Sequence, residues 1–355
     1  METISFFGYW IPYLSAYQLQ GYPPPKYALP ALEALGYQVD FVNVYEIAKL
    51  NVPPLERKEE ETANDIKTGL MACRSNKLIV SYWDYIYKRD LRSLFSDPSK
   101  KIIFCCNWHE EKKPYRHKLA ILKNAKFTTV SLDLYKEQWL KEIGPKNAEK
   151  FESRLKVLRF PCTMGAQLSR EECRKKIGIT TNKSVLIWGY YGAGKGAEDV
   201  LNWVSTMFET SVLFCGTPAS ESAGEYLLAK AVQLNMKDRV FFSKPLISDE
   251  ETDVWFSAAD LVLIPYFNKV GESSLAYALG HGKACITSKL ECFPEYEEKF
   301  GAIVTAEKKD FKQTFEYYLN HDREREKLEE RATAYAKKFN WTTWALDLKK
   351  MLEEM

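Results

Sequence analysis

Three stretches of the chain carry residue types and spacings suited to holding an anionic ligand. The first is Gly189-Tyr-Tyr-Gly-Ala-Gly-Lys195-Gly196, lying between an apolar run and an amphipathic one. It fits the pattern G-x-x-x-x-G-K, but Gly196 stands where a phosphate-binding loop places a Ser or Thr hydroxyl on Mg²⁺, which argues against a Mg²⁺-dependent ATPase. A glycine-rich strand-to-helix turn still presents backbone N–H groups and a lysine to an anion, so its natural ligand is a diphosphate held without a metal. The alternative is a tight turn with a solvated lysine. The second stretch, Lys269-Val-Gly271-Glu272-Ser273-Ser274 followed by Tyr277 and a helix ending on Gly280 and Gly282, sets a glycine, a carboxylate and two serines at a helix start. Unpaired N–H groups and the helix dipole favour an anion there. An ordinary N-cap by Ser273 or Ser274 is the plainer reading. The third, Phe104-Cys-Cys-Asn107-Trp108-His109-Glu110-Glu111, brings His109 to the C-terminal end of a strand, the edge at which open parallel sheets gather ligands; a solvated loop histidine is the alternative.

These stretches are positioned by an alternation of short apolar strands and amphipathic helices, which predicts parallel sheets with helices on both faces. The first half carries strand candidates at Ile4–Gly8, Val39–Val44, Lys77–Val80, Lys101–Cys105, Phe127–Val130 and Val157–Phe160. The second half restarts at Ser184–Gly189 and continues through Ser211–Cys215, Val240–Ser243, Leu261–Pro265, Ala284–Thr287 and Ala302–Thr305. Two such series predict two Rossmann-like domains of an α/β protein, joined near Thr163–Ser169.

The chain has 355 residues, enough for two domains, with 46% hydrophobic and 28% charged residues, values of an ordinary globular protein. Fifty basic against 48 acidic residues leave +2, which argues against a dedicated nucleic-acid binder. The eight cysteines form no C-x-x-C pair and lie mostly in apolar runs, so they are expected as buried thiols of a cytosolic protein. The four histidines show no metal-ligand spacing with them, and no metal site is expected. Residues 3 to 25 carry no charge, but Pro12, Gly21 and Pro23-Pro24-Pro25 break the stretch, so neither a membrane span nor a signal peptide is expected.

Taken in order, these elements resemble the nucleotide-sugar glycosyltransferases of the GT-B fold, most closely glycosyltransferase family 4. Val185-Leu-Ile-Trp-Gly189 with Lys195-Gly196 resembles the family's strand–glycine–lysine turn, Asn235-Met-Lys-Asp238-Arg239-Val240-Phe241-Phe242 its "drV.f" segment, and Ala258-Ala259-Asp260-Leu-Val-Leu-Ile-Pro265 its "aaDv.v.PS" strand. Ala278–Ser288 is similar to its "A.acG.PVias" helix–strand, Trp108-His109-Glu110 to its His-Asp pair, Thr129-Val130-Ser131 to its "vS" strand end, Arg159-Phe160-Pro161 to its interdomain "ipnG", and Phe339-Asn340-Trp341 to the "fsW" before its terminal helix. The chain departs from the family pattern at three places. Tyr190 stands where the family has an arginine, Lys269 and Tyr277 stand where it has a pair of glutamates, and Tyr9-Trp10-Ile11-Pro12 replaces its first glycine-glycine loop.

The resemblance implies two Rossmann-like domains facing across a cleft. Residues 1–165 with a returning helix at about 340–355 would form the acceptor domain, and residues 166–339 the donor domain. It implies transfer of a sugar from a UDP- or GDP-sugar to a glycan, lipid-linked or small-molecule acceptor, with retention of configuration and without a metal or other cofactor. His109, Lys195 and Glu272 are the expected catalytic residues. Gly189, Tyr190, Lys195, Gly196, Glu272, Ser273, Ser274 and Tyr277 are the expected donor-binding residues. A sugar-nucleotide epimerase or hydrolase of the same fold and an inactive partner subunit remain as alternatives. Residues 1–165 carry 25 basic and 19 acidic residues, a net +6, whereas 166–355 carry 25 and 29, a net −4. Lys112, Lys113, Arg116, Lys118, Lys123 and Lys126, interleaved with Trp108 and Tyr115, form a basic-aromatic stretch that could rest on anionic lipid at the inner membrane face, or else line a solvated helix.

Overall fold

The computed structural model describes residues 1–8, 25–43, 68–81, 95–106, 115–192, 194–218, 220–245, 247–267, 271–290 and 292–355. His109, Lys269, Tyr9–Pro12, Lys112 and Lys113 lie outside them. The chain divides into two compact units, Met1–Phe160 with Trp341–Met355, and Pro161–Asn340. The first break falls ahead of the expected Thr163–Ser169 joint because the intervening backbone is stitched into the second unit. The Cys162 N–H donates to Phe339 O at 2.8 Å and the Gly165 N–H to Gly280 O at 3.2 Å.

In the first unit, β1 (Thr3–Gly8), β2 (Gln38–Asn43), β3 (Lys77–Ser81), β4 (Lys101–Cys105), β5 (Phe127–Val130) and β6 (Leu155–Val157) form one sheet in the order β2-β1-β3-β4-β5-β6. All its pairings are parallel. The last strand lies earlier than the apolar run Val157–Phe160 suggests, because pairing with β5 ends at Val130↔Val157 and the chain then leaves the sheet. The inner strands β3, β4 and β5 are buried on both faces, the expected state of a parallel sheet covered by helices. The covering helices are α1 (Pro25–Glu33), α2 (Tyr115–Asn124), α3 (Asp133–Ile143) and α4 (Pro145–Phe151). The chain's last helix, Trp341–Glu353, belongs to this unit: Trp341 stacks on Tyr27 with centroids 5.5 Å apart, and Lys77 Nζ donates to Leu352 O at 2.7 Å. Lys118 departs from the exposed basic stretch expected of it. It is 2% exposed, paired with Glu142 at 2.5 Å and set over the Trp139 ring. Arg116, Lys123 and Lys126 are exposed.

The second unit holds α5 (Arg170–Ile177), β7 (Lys183–Tyr191), α6 (Ala197–Val204), β8 (Thr210–Pro218), α7 (Glu221–Gln233), β9 (Val240–Phe242), α8 (Asp249–Ala258) and β10 (Leu261–Ile264). It continues with α9 (Glu272–Gly280), β11 (Cys285–Ser288), α10 (Phe293–Phe300), β12 (Val304–Ala306), α11 (Lys308–Asn320) and α12 (Asp322–Lys338), so Trp341–Glu353 is α13. Its sheet is parallel throughout, in the order β12-β11-β10-β7-β8-β9. Numbered from β7, that is the 3-2-1-4-5-6 order of a doubly wound dinucleotide-binding sheet, whose direction of winding reverses between β7 and β10.

Strand alternation separates the two faces of this sheet. Val185, Ile187 and Tyr191 pack with Val200, Leu227 and Phe311 on the side of α6, α7 and α11. Trp188 lies on the other side, against Phe256 of α8 and Tyr277 of α9. All eight cysteines are buried with free thiols. Among the described residues no helix is long and apolar enough to cross a membrane.

Candidate functional site

The reversal of winding puts the C-terminal ends of β7 and β10 side by side, with α6 and α9 on opposite faces of the sheet, the arrangement in which such sheets form a crevice at their C-terminal edge. The β7 loop is shaped by glycine. Gly192, Gly194 and Gly196 have φ of 149°, 79° and 69°, and the Lys195 N–H closes the turn on Gly192 O at 3.1 Å. Gly196 also meets the end of β10 so closely that an added Cβ would lie 2.4 Å from Pro265 O. Gly196→Ala is therefore expected to cost about 2 kcal/mol or more from backbone strain alone, read as a lower denaturation midpoint. On the other side it is Gly216 of β8 that must lack a side chain, since a Cβ there would meet Gly189 O at 2.0 Å, while Gly189 itself has φ 94°.

This packing delivers Lys195 to the crevice. Its ammonium lies over the ring of Tyr266, 3.6 Å from the centroid. Tyr266 is fully buried and held at several points. Its hydroxyl donates to Trp188 O at 3.4 Å and pairs with Ser274 Oγ at 3.2 Å, and its own carbonyl accepts from Ser288 Oγ at 2.5 Å. Burial pushes the phenol pKa up to about 12, so it stays a neutral donor at pH 7. The ring leaves no room for a side chain on Gly271, where an added Cβ would lie 2.2 Å from Tyr266 Cε2.

Gly271 is the N-cap of α9, and it has no side chain with which to cap the helix. The expected serine cap is absent: Ser274 turns its hydroxyl to Tyr266, and Ser273 is half-buried within the first turn. The amino end of α9, with its dipole and first-turn N–H groups, thus stands next to the ring that carries Lys195.

The other expected residues sit differently. Glu272 is 2% exposed and accepts from the Tyr296 hydroxyl at 2.8 Å, so its carboxylate anchors the start of α9 to α10 instead of standing in the crevice as expected. Burial, reinforced by this carboxylate, pushes the Tyr296 phenol well above its usual range. Tyr277 is buried in a stack with Trp188, centroids 5.3 Å apart. His281 extends that stack over Phe256 at 4.0 Å and is tied to Asp253 at 2.9 Å and Tyr277 O at 2.7 Å, a structural histidine. Tyr190, 40% exposed, is the last residue but one of β7 and lies opposite Thr217. Tyr266 escapes sequence reasoning because it meets Lys195 only once β7 and β10 pair; its one local signal is the glycine that follows at position 271.

A pocket of about 580 Å³ adjoins the opposite side of the β7 loop, with Gly194, Glu198, Asp199, Ser220, Phe267 and Lys308 on its walls. Its carboxylates disfavour a diphosphate, and Asp199 already engages Lys308 at 2.9 Å. Among the described residues no group of three or more His, Cys, Asp or Glu side chains is placed to hold a metal ion.

No protein-family model matches the chain, and no curated protein matches it in sequence. Solved structures do match it, over its whole length. Sucrose-phosphate synthase from Thermosynechococcus elongatus aligns with a TM-score of 0.73 at 15% identity, covering 100% of this chain and 99% of that one. HepE from Anabaena, in complex with UDP-glucose, aligns at 0.71 and 12% identity over 100% of both chains. A glycosyltransferase from Rickettsia africae aligns at 0.71 and 13% identity, over 99% of this chain and 98% of that one. Identities this low establish architecture alone, and the architecture is unambiguous: the chain has the GT-B fold, built of two Rossmann-like α/β units.

Proposed function

We propose that the protein is a glycosyltransferase whose second unit binds the diphosphate of a nucleotide-sugar donor at the β7–β10 crevice. One observation carries this reading: the Lys195 ammonium is held at the winding reversal of the sheet, beside the amino end of α9, whose N-cap residue Gly271 has no side chain. The fold supports it, since HepE on the same architecture is found in complex with UDP and with UDP-glucose.

Cleavage of the bond between sugar and diphosphate leaves negative charge on the departing phosphate oxygens. Fixed cations and N–H dipoles stabilise such charge most effectively when they are oriented before the reaction begins. Lys195 supplies the cation, and the first-turn N–H groups of Ser273 and Ser274 supply the dipoles. Tyr190 contributes an exposed ring and no charge where the related pattern has an arginine, which concentrates the electrostatic task on Lys195. Glu272 and Tyr277 shape the site from beneath. His109 is assigned, on the resemblance, to the donor sugar or its phosphate. With Gly196 in place of a metal-binding hydroxyl, the reaction is expected to proceed unchanged in EDTA.

The acceptor belongs to the first unit, and the +6 carried by residues 1–165 suits an anionic or lipid-linked one. The test is incubation with a panel of UDP- and GDP-sugars, following nucleotide release with and without acceptor extracts. Acceptor-dependent release supports a transferase, and release without any acceptor points to a hydrolase or epimerase. A second reading, an inactive nucleotide-binding subunit, is favoured by the burial of Tyr277 and Glu272. It predicts binding of a nucleotide sugar with no turnover under any of these conditions.

A further inference from the structure

We infer that Tyr266 is a positioning residue for Lys195, holding its ammonium over an aromatic face so that it is already aimed at the phosphates of an incoming nucleoside diphosphate. The inference rests on the donor-binding reading above and assigns a device to that site. A lysine on a glycine loop has four rotatable bonds, and ordering it costs as much as any side chain does. A ring face within about 6 Å attracts an ammonium, more strongly when water is excluded. Here the separation is 3.6 Å and the ring is fully buried.

The ring itself is tightly held. Its hydroxyl is fixed by Trp188 O and Ser274, its backbone carbonyl by Ser288, and its edge abuts the bare Cα of Gly271. Trp188 belongs to β7, Ser274 to α9 and Ser288 to β11, so three elements converge on one residue, two of them on its ring hydroxyl. None of these partners is charged, and the ammonium gains no counter-ion from the ring that a phosphate would have to displace. The ring thus orients Lys195 without itself supplying a counter-charge, as a carboxylate at position 266 would. The ring also ties the two halves of the crevice together, because its hydroxyl reaches Ser274 in the first turn of α9 while its face carries the lysine from the β7 loop.

Reductive ¹³C-methylation, which keeps the lysine charge, tests the arrangement by NMR in the full-length protein, with Lys195→Arg assigning the resonance. The Lys195 methyl signal is expected upfield of the exposed-lysine envelope through the ring current. It should stay there in Tyr266→Phe and return to the envelope in Tyr266→Leu. In parallel, the affinity for UDP is expected to fall about fivefold to tenfold in Tyr266→Leu and to change less than about twofold in Tyr266→Phe. A purely structural tyrosine would alter stability without moving the Lys195 resonance. A Lys195 signal within the exposed envelope of the wild-type protein overturns the inference, and needs no variant to fold. Wild-type UDP affinity in Tyr266→Leu overturns it equally. An upfield Lys195 signal in a protein that binds neither UDP nor GDP would uphold the ring–ammonium contact and overturn the donor-binding reading instead.

Discussion

Lys195→Ala is expected to lower turnover about 10²- to 10³-fold, with the circular dichroism spectrum and unfolding midpoint unchanged. The magnitude follows from the loss of one preorganised charge-stabilising group at a developing anion. It should lie toward the upper end, because Tyr190 brings no second cation to the end of β7. Stability should hold because the lysine follows the turn that glycine closes, and that turn is made by backbone: Gly192 O accepts the Lys195 N–H, and Gly196 packs on Pro265. Lys195→Arg keeps the charge and the affinity for an aromatic face, so it should recover part of the activity. Wild-type turnover in Lys195→Ala would remove the lysine from the mechanism.

Asp260→Ala should have the largest effect on stability, about 3 to 5 kcal/mol, while leaving the UDP affinity of the folded fraction unchanged. Asp260 stands just before β10, at the opposite end of that strand from the crevice. Its carboxylate accepts from the Ser184 N–H at 2.7 Å and Ser184 Oγ at 3.3 Å, pairs with Arg174 at 3.5 Å, and pairs also with Arg170. Lys283 lies close by, half-buried, donating to Ala259 O at 3.0 Å, and burial lowers its pKa. Deleting the carboxylate, itself buried, leaves the buried Ser184 N–H without this acceptor and the largely buried Arg174 with less counter-charge, and breaking one side of a buried ion pair carries the cost given above. Urea titration followed by fluorescence reads the loss. A UDP affinity that falls together with stability would mean that the two ends of the strand are coupled.

The sheets were legible from alternation and apolar runs, because strands buried on both faces leave an unmistakable signature. Thin helices were not. The α5 helix over Arg170–Ile177 has Cys173 as its one buried residue, so hydrophobic periodicity is nearly silent there. Its punctuation was nevertheless present: Ser169 accepts the Glu172 N–H, and Gly178 ends the helix at φ 91°. The α10 helix over Phe293–Phe300 is similarly announced by Pro294 and closed by Gly301 at φ 58°.

In the site, Lys195 and Gly196 were legible because glycine spacing encodes a backbone shape. The directions taken by Glu272 and Tyr277 were not, since which face of a helix is covered depends on α10 and on Trp188, distant in sequence. Ser273 and Ser274 look like caps in sequence, yet Gly271 takes the cap position because the Tyr266 ring occupies the space a side chain there would need. Asp260 illustrates the reverse case. It belongs to a motif that resembles an enzyme family's, and its work in this structure is to hold Ser184 of β7 and pair with Arg174 and Arg170.

Isothermal titration calorimetry distinguishes a β7–β10 crevice that holds a nucleoside diphosphate through Lys195 from one that does not. UDP and GDP are titrated into the wild-type protein and into Lys195→Ala. Saturable binding of one of them at a single site, weakened at least about tenfold in the variant, is the result expected for loss of a charge-assisted contact. Equal affinity in the two proteins, or binding of neither nucleotide to the wild type, would contradict binding through Lys195.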